Sequence, residues 1–454
     1  VLPSALERQR LAYDEILSHQ LTLAIARHVS RKSKGISSKG TGELAGKVLK
    51  ALPFKPTNAQ IRAVGDIGAD MAEPVRMNRL LQGDVGAGKT LVALLAMIAA
   101  VESGGQAVMM APTEILAQQH VAGLRPLAEQ AGIVLESLTG RDKGSERKAK
   151  LEALANGDIH ILIGTHAVFQ KTVVFQDLRL AVIDEQHRFG VRQRMELGAK
   201  GAAVDVLVMT ATPIPRSLAL ANYGDMDISV LDEKPAGRKP IETVMVSSAR
   251  MGQIVERLRG AIADGRQAYW VCPLVEESDV LDLAAAEDRA AALKIALGDD
   301  VVGLVHGRMT ATEKDQVMAD FSDGIIKILV ATTVIEVGVD VPNASIMVIE
   351  HAERFGLSQL HQLRGRVGRG TDASSCLLLY APPLGKTAQA RLEAIRETND
   401  GFKIAEIDLK LRGAGDVLGI AQSGLPRFRI ADLDTQSDLM KVANDDARLI
   451  LTKD

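Results

Sequence analysis

The chain has 454 residues, which at roughly 100 to 200 residues per domain means two to four domains with ample cores. Charged residues make up 24% and apolar ones 46%, and the net charge is −3, which excludes a disordered or histone-like chain and leaves nucleic-acid contact to local basic patches. No apolar run reaches the roughly 18 residues of a membrane span, so a soluble protein of the cytoplasm with no membrane partner is expected.

The chain opens at Val1, without an initiator Met, on ALERQRLAYDEILSHQLTLAIARHV. Its charges occupy the place of a signal peptide's apolar core. Leu6, Tyr13, Ile16, Leu17 and Leu21 fall at helical spacing, so one or two amphipathic helices are expected, in a chain cut from something longer. Ser30–Lys47 is rich in Ser, Gly and Lys and reads as a solvated linker or a phosphate-contacting arm. Residues 1–50 are thus a helical segment and linker.

After Pro53, short β-rich apolar runs (QAVMMAP, HILIGT, LAVIDE, VLVMTAT) alternate with helical ones, which predicts a parallel sheet covered on both faces. The first of the motifs is GDVGAGKT, Gly83–Thr90, between the apolar end of RLLQ and the helical LVALLAMIAA. That is the strand, loop and helix of a phosphate-binding loop. Gly83, Gly86 and Gly88 let backbone N–H groups close around phosphates at a helix N-terminus, Lys89 neutralises the β and γ phosphates, and the Thr90 hydroxyl can hold Mg²⁺. Downstream, LRLAVIDEQH ends an apolar strand in Asp184, placed to bind Mg²⁺, and Glu185, placed to orient or deprotonate water. Gln60 carries an amide that can both donate and accept, as an adenine edge demands, or it is an ordinary surface glutamine. TATPIPR, Thr210–Arg216, offers hydroxyls at a strand end that can link the acids to a bound partner, or is a plain proline turn.

The α/β alternation restarts after the proline- and charge-rich Val230–Pro240 with QAYWVCPLV, VVGLVHG, KILVATT, SIMVIEH and SCLLLYA. Cys272 and Cys376 sit in two of these runs and read as buried strand residues, too few for a disulfide framework or a thiolate metal site. The acidic Glu276–Asp288 stretch is expected to face solvent. QLHQLRGRVGRG, Gln359–Gly370, alternates arginines with glycines; Arg366 and Arg369 suit a γ-phosphate, and a basic nucleic-acid patch fits equally. From about Gly385 a helical run leads into DLKLRGAGDVLGIAQSG, a segment too short for a core of its own and so expected to pack on the second domain. The terminal RIADLDTQSDLMKVANDDARLILTKD looks helical and able to seal the motor or meet a partner.

Gln60, GDVGAGKT, APTEILAQQH, GTHA, DEQH, TATPIPR, ATTVIEVGVDVPNA and QLHQLRGRVGR together resemble the ordered motif series of superfamily-two helicases. Within it DEQHRFGVRQR, VIEHAERFGLSQLHQLRGRVGRG and TNDGFKIAEIDLKLRGAGDVLGIAQSGLPRFRIADL are most similar to the RecG family. Gln186 and His187 weigh against the translocase module of the transcription-repair coupling factor. The resemblance implies an α/β fold of two RecA-like parallel-sheet domains in tandem, residues 51–235 and 236–385, with an N-terminal helical segment and a translocation hairpin, loop and C-terminal extension over 386–454.

It implies, further, an ATP-dependent double-stranded DNA translocase or helicase that remodels stalled replication forks and Holliday-type branched DNA, acting as a monomer in the bacterial cytoplasm at the nucleoid, with single-stranded-DNA-binding protein as a further partner. Alternatives are an RNA-polymerase-coupled translocase and a nucleotide-switched DNA-binding module that does not move. ATP and Mg²⁺ contacts would fall to Gln60, Gly83, Asp84, Gly86, Ala87, Gly88, Lys89, Thr90, Asp184 and Gln362, with Glu185, Arg366 and Arg369 catalytic beside Lys89. Thr90 and Asp184 would be the metal ligands. DNA-backbone contacts would fall to Thr113, Glu114, Thr165, His166, His306, Gly307, Thr332 and Thr333. Coupling would fall to Thr210, Thr212, Arg216, Arg412, Asp416 and Gln422. The family's wedge domain would precede Val1, which makes this chain a motor portion. Aromatics are only 3%, so backbone tracking on duplex is expected over stacking on single-stranded bases.

Overall fold

The computed structural model describes residues 5–31, 35–184, 203–211, 213, 226–235, 239–273, 279–332, 341, 343–368, 370, 373–412, 428–431 and 436–453. Its contacts divide the chain into two units, Val1–Lys234 with Arg412–Asp454, and Pro235–Leu411.

The first unit begins with helices α1 (Leu6–Arg31), α2 (Glu43–Ala51) and α3 (Asn58–Ala72). The stretch read as a loop to Lys47 is already helical from Glu43, because Glu102 accepts the backbone N–H groups of Gly42 (2.8 Å) and Leu44 (2.5 Å) and so caps α2. Ahead of it the chain is bonded to the end of α3, through Gly35 N–H to Pro74 O, Ser38 N–H to Met71 O and Ser37 Oγ to Ala72 O. A Cβ on Gly35 would lie 2.5 Å from the Val75 carbonyl carbon, so only glycine permits that approach.

Seven strands follow: β1 (Asn78–Gly83), β2 (Gln106–Met110), β3 (Leu135–Leu138), β4 (Ile161–Gly164), β5 (Leu178–Ile183), β6 (Asp205–Thr210) and β7 (Asp227–Leu231). They lie in the order β3-β4-β2-β5-β6-β1-β7 with every pairing parallel. Parallel neighbours need long crossovers, and α4 (Lys89–Glu102), α5 (Glu114–Gln130) and α6 (Gly144–Asn156) supply three of them. Strands covered on both faces have no polar side to alternate with, which is why β2 and β6 are buried at every position. Successive residues feed opposite cores: Leu81, Met109 and Val182 pack with α4, whereas Leu80, Val108 and Ala181 pack on the other face.

The second unit has β8 (Glu242–Ser247), β9 (Gln267–Val271), β10 (Val302–Val305), β11 (Ile328–Ala331), β12 (Ala344–Ile349) and β13 (Ser375–Tyr380), in the order β10-β11-β9-β12-β13-β8, again all parallel. Helices α7 (Met251–Ala263), α8 (Asp279–Leu297), α9 (Ala311–Ser322), α10 (Leu357–Arg364), α11 (Lys386–Glu397) and α12 (Gly401–Arg412) accompany them. Trp270 centres a core with Ala268, Ile328, Val330 and Val348. Glu287 and Asp288 of the acidic stretch are exposed on α8. Both cysteines are buried free thiols, and burial pushes each up to about 12.

The segment after Gly385 does not stay together. Helix α11 packs on β8 in the second unit, whereas α13 (Ser437–Lys453) packs along α1 in the first. Ile16 meets Met440 and Ala443 there, Asn444 Nδ2 donates to Gln20 Oε1 (2.8 Å), and Tyr13 donates to Asp446 (2.6 Å). Glu15 accepts the backbone N–H groups of Arg429, Ile430 and Ala431 at 2.6–2.9 Å. Among the described residues no helix is long and apolar enough to cross a membrane.

Candidate nucleotide and DNA site

Because all seven strands of the first sheet run the same way, their C-terminal ends share one edge, which is where ligands bind in open α/β sheets. Gly83 ends β1, Thr113 follows β2, Thr165 follows β4, Asp184 follows β5 and Thr210 ends β6. Separated by up to 127 positions in sequence, Gly83 and Thr210 end neighbouring strands.

The phosphate loop is built by its glycines. Gly86 (φ 72°) and Gly88 (φ 83°) are left-handed, and a Cβ on Gly88 would lie 2.1 Å from Gln60 Nε2, so both backbone and space demand glycine there. Gly88 caps α4, whose first-turn N–H groups face the loop as an anion site. The Lys89 ammonium, buried at the base, donates to the carbonyls of Gly83 (2.8 Å) and Asp84 (3.0 Å). Asp84 also accepts the Val85 N–H (2.7 Å), Ala87 closes the turn by donating to Asp84 O, and Lys234 Nζ stands 3.7 Å from the Asp84 carboxylate. Beside Lys234, Asp232 and Glu233 pair with Arg62 of α3.

Gln60 is no surface glutamine. It is 3% exposed, its Oε1 accepts the Thr57 N–H (2.9 Å) in the capping box of α3, and its Nε2 donates to Ala87 O (2.9 Å) in the loop. Asp184 is buried, its N–H bonded to Met110 O, and its Oδ2 lies 2.9 Å from His120 Nε2 on α5. The sheet order sets β5 two strands from β1, roughly 10 Å, a gap that phosphates and a hydrated cation fill. Cradle, buried ammonium and hard oxygen donors Thr90 and Asp184 fit a nucleotide with Mg²⁺, which keeps few protein ligands.

On the same edge, Thr113 caps α5, Thr165 is buried and His166 exposed. Glu114 is engaged within the protein: it accepts the Gly140 N–H (2.9 Å) and Arg141 Nε (2.8 Å) and so holds the Thr139–Arg141 turn. In the second unit His306 and Gly307 follow β10, and buried Thr332 follows the adjacent β11, again at one sheet edge. Gln362 lies on α10 and Arg366 just beyond it, both buried. Arg364, 1% exposed, caps the C-terminal end of α11 by donating to Ile395 O (2.5 Å) and Thr398 O (2.9 Å), and Arg391 on α11 donates to Phe355 O (2.9 Å). Arg412 ends α12. Glu185, Arg369, Thr333, Thr212, Arg216, Asp416 and Gln422 lie outside the described residues, as do Gln186 and His187.

Sequence reading missed His120, Arg141, Arg289 and Glu350. Glu350 follows β12; burial pushes its carboxyl up, but the Arg289 guanidinium (2.5 and 2.8 Å) and the Trp270 indole N–H (2.9 Å) outweigh that and hold it low. His120 had a signal, the end of APTEILAQQH, with no partner visible in the chain order.

Residues 57–220 match the DEAD/DEAH box helicase family and residues 253–371 the helicase conserved C-terminal domain. Two RecA-like parallel sheets in tandem, with a phosphate loop on the first, are the fold of this helicase class. Residues 398–454 match the C-terminal part of domain 3 of the ATP-dependent DNA helicase RecG. The chain is 52% identical over 431 residues to that helicase of Escherichia coli (strain K12), covering 94% of this chain and 62% of the relative. It is 51% identical over 451 residues to that of Bacillus subtilis (strain 168), covering 99% and 66%. A solved RecG bound to a three-way DNA junction superposes with a TM-score of 0.79 at 45% identity, over 96% of this chain and 57% of that one. The chain belongs to the RecG family, and it spans less than two thirds of the length of these relatives.

Proposed function

We propose that this chain is the motor of an ATP-dependent DNA translocase and helicase that remodels stalled forks and branched, Holliday-type DNA. The observation that carries the reading is the meeting of the Gly83–Thr90 loop and Asp184 on one sheet edge, in a chain of the RecG family. Lys89 exchanges its loop carbonyls for the β and γ phosphate oxygens, and the N–H groups around Gly86 and Gly88 hold the rest. Thr90 and Asp184 hold Mg²⁺, which when bound neutralises phosphate charge. Gln60 reads the adenine edge, and Glu185 orients the attacking water and takes its proton. Gln362 is the second unit's nucleotide contact, Arg366 and Arg369 supply charge for the γ-phosphate, and Thr210, Thr212, Arg216, Arg412, Asp416 and Gln422 couple hydrolysis to the DNA.

Thr113, Thr165, His166, His306, Gly307, Thr332 and Thr333 are proposed to follow the DNA backbone without reading sequence. Glu114 acts differently, by holding Arg141 and its turn, since a carboxylate facing phosphate would repel it. The solved relative on a three-way junction supports branched DNA as the substrate. Monomeric action, single-stranded-DNA-binding protein as a partner and residence at the nucleoid belong to the same proposal. The test is steady-state ATP hydrolysis with no DNA, single strands, linear duplex and a model fork, with Lys89→Ala as blank. DNA-stimulated hydrolysis is expected; hydrolysis indifferent to every DNA would reject the reading.

A further inference from the structure

Helix α5 starts at the sheet edge with Thr113 at its cap, and about two turns in it carries His120. The imidazole Nε2 stands 2.9 Å from Asp184 Oδ2, with the two side chains only 11% and 10% exposed. An ionised carboxylate has no proton to give, so the ring donates through Nε2–H. The Asp184 backbone is held separately, its N–H donating to Met110 O at 2.9 Å, so the bond from His120 acts on the side chain. A hydrogen bond from a neighbouring helix restricts the carboxylate torsions before a cation arrives, and partners of this kind act on metal affinity without touching the metal.

We propose that His120 is a positioning residue: its Nε2–H sets the Asp184 carboxylate in the orientation that metal-bound nucleotide requires. It thereby ties the helix that begins at Thr113 to the metal-binding acid. The inference rests on the nucleotide-site reading above. The test therefore separates metal binding from nucleotide binding, using Mn²⁺ titrated by electron paramagnetic resonance in the presence of ADP, and ADP affinity in EDTA.

The informative pair is His120→Gln, whose amide nitrogen reaches about as far as Nε2, and His120→Asn, which offers the same group too short to reach. Both are polar and helix-compatible, so neither depends on a cavity being tolerated. In His120→Asn the Mn²⁺ affinity is expected to fall about tenfold or more, with metal-free ADP affinity unchanged, and His120→Gln to stay within about threefold of the parent. Equal Mn²⁺ affinity in Gln, Asn and parent overturns the proposal, as does a parallel fall in metal-free ADP affinity, which marks a merely structural histidine. If Lys89→Ala leaves ADP affinity untouched in both conditions, the nucleotide site itself is misassigned and the proposal falls with it.

Discussion

Gln60 is held in two hydrogen bonds before any nucleotide binds, and that sets a measurable tension. Its Oε1 accepts the Thr57 N–H and its Nε2 donates to Ala87 O, both at 2.9 Å, the second fully buried. A glutamate at this position keeps the first bond and loses the second, and its carboxylate cannot donate to an adenine acceptor. Neutral buried bonds are worth about 1 kcal/mol each, so Gln60→Glu should destabilise the free protein by roughly that amount, more if the Ala87 carbonyl repels the new charge. Paired contacts to an adenine edge discriminate by about 1–3 kcal/mol, so ATP should weaken by about 5- to 150-fold while GTP, which lacks that edge, changes by only a few-fold. The assay is steady-state hydrolysis of both nucleotides on duplex DNA, with thermal melting alongside. Equal losses for ATP and GTP would refute base reading by Gln60 and leave it as the cap of α3 and a strut under the loop.

Other expectations follow from the same geometry. Glu185→Gln should bind ADP with parental affinity and hydrolyse ATP at least about a hundredfold more slowly; near-parental turnover would remove Glu185 from catalysis. Burial pushes the Asp205 carboxyl up to about 7 despite the Met77 N–H, so its contribution to stability is full below the unfolded value of 3.8 and is lost as pH rises through about 7. Asp205→Asn should therefore match the parent in unfolding free energy near pH 4 and exceed it near pH 8, by about 2–4 kcal/mol at most; stability profiles that run parallel across this pH range would contradict this. Arg364→Lys replaces a fork, one arm of which donates to the Ile395 and Thr398 carbonyls while the other meets His361 Nδ1 at 3.0 Å, with a single point charge, and should destabilise the second unit by about 2–4 kcal/mol while metal-free ADP affinity at the phosphate loop stays unchanged. Hydrogen exchange resolved by peptide would show protection lost in α11; unaltered protection would clear Arg364 of that role.

Much of this was legible in the chain because local rules and tertiary demands coincide. The loop Gly83–Thr90 needs left-handed glycines at fixed spacing between a buried strand and a helix, and each requirement leaves its own mark in the letters. Strands such as β2 and β6 are apolar at nearly every position because both faces are covered, so they stand out without alternation. What stayed hidden depends on partners far away in sequence. Asp184 meets His120 across 64 positions, and Glu15 meets Arg429 across 414, with no local pattern to announce either. Arg364 and Arg366 look interchangeable in RGRVGR, yet one ends a helix pointed at the α11 carbonyls and the other lies past it. Glu114 stands in a motif that announces DNA contact, while its bonds to Gly140 and Arg141, 26 and 27 positions away, have no local pattern to announce them.

The pairing of α1 with α13 has a mechanical meaning. Both ends of the described chain belong to one unit, and the second unit is spliced into it between Lys234 and Arg412. Tension applied at the two termini therefore loads the α1–α13 clasp, through Ile16, Met440, Gln20 and Asn444, before it can reach either sheet. Once that clasp parts, the pull runs through the backbone crossings into the second unit, so the release of α13 from α1 is the first rupture expected in an optical trap.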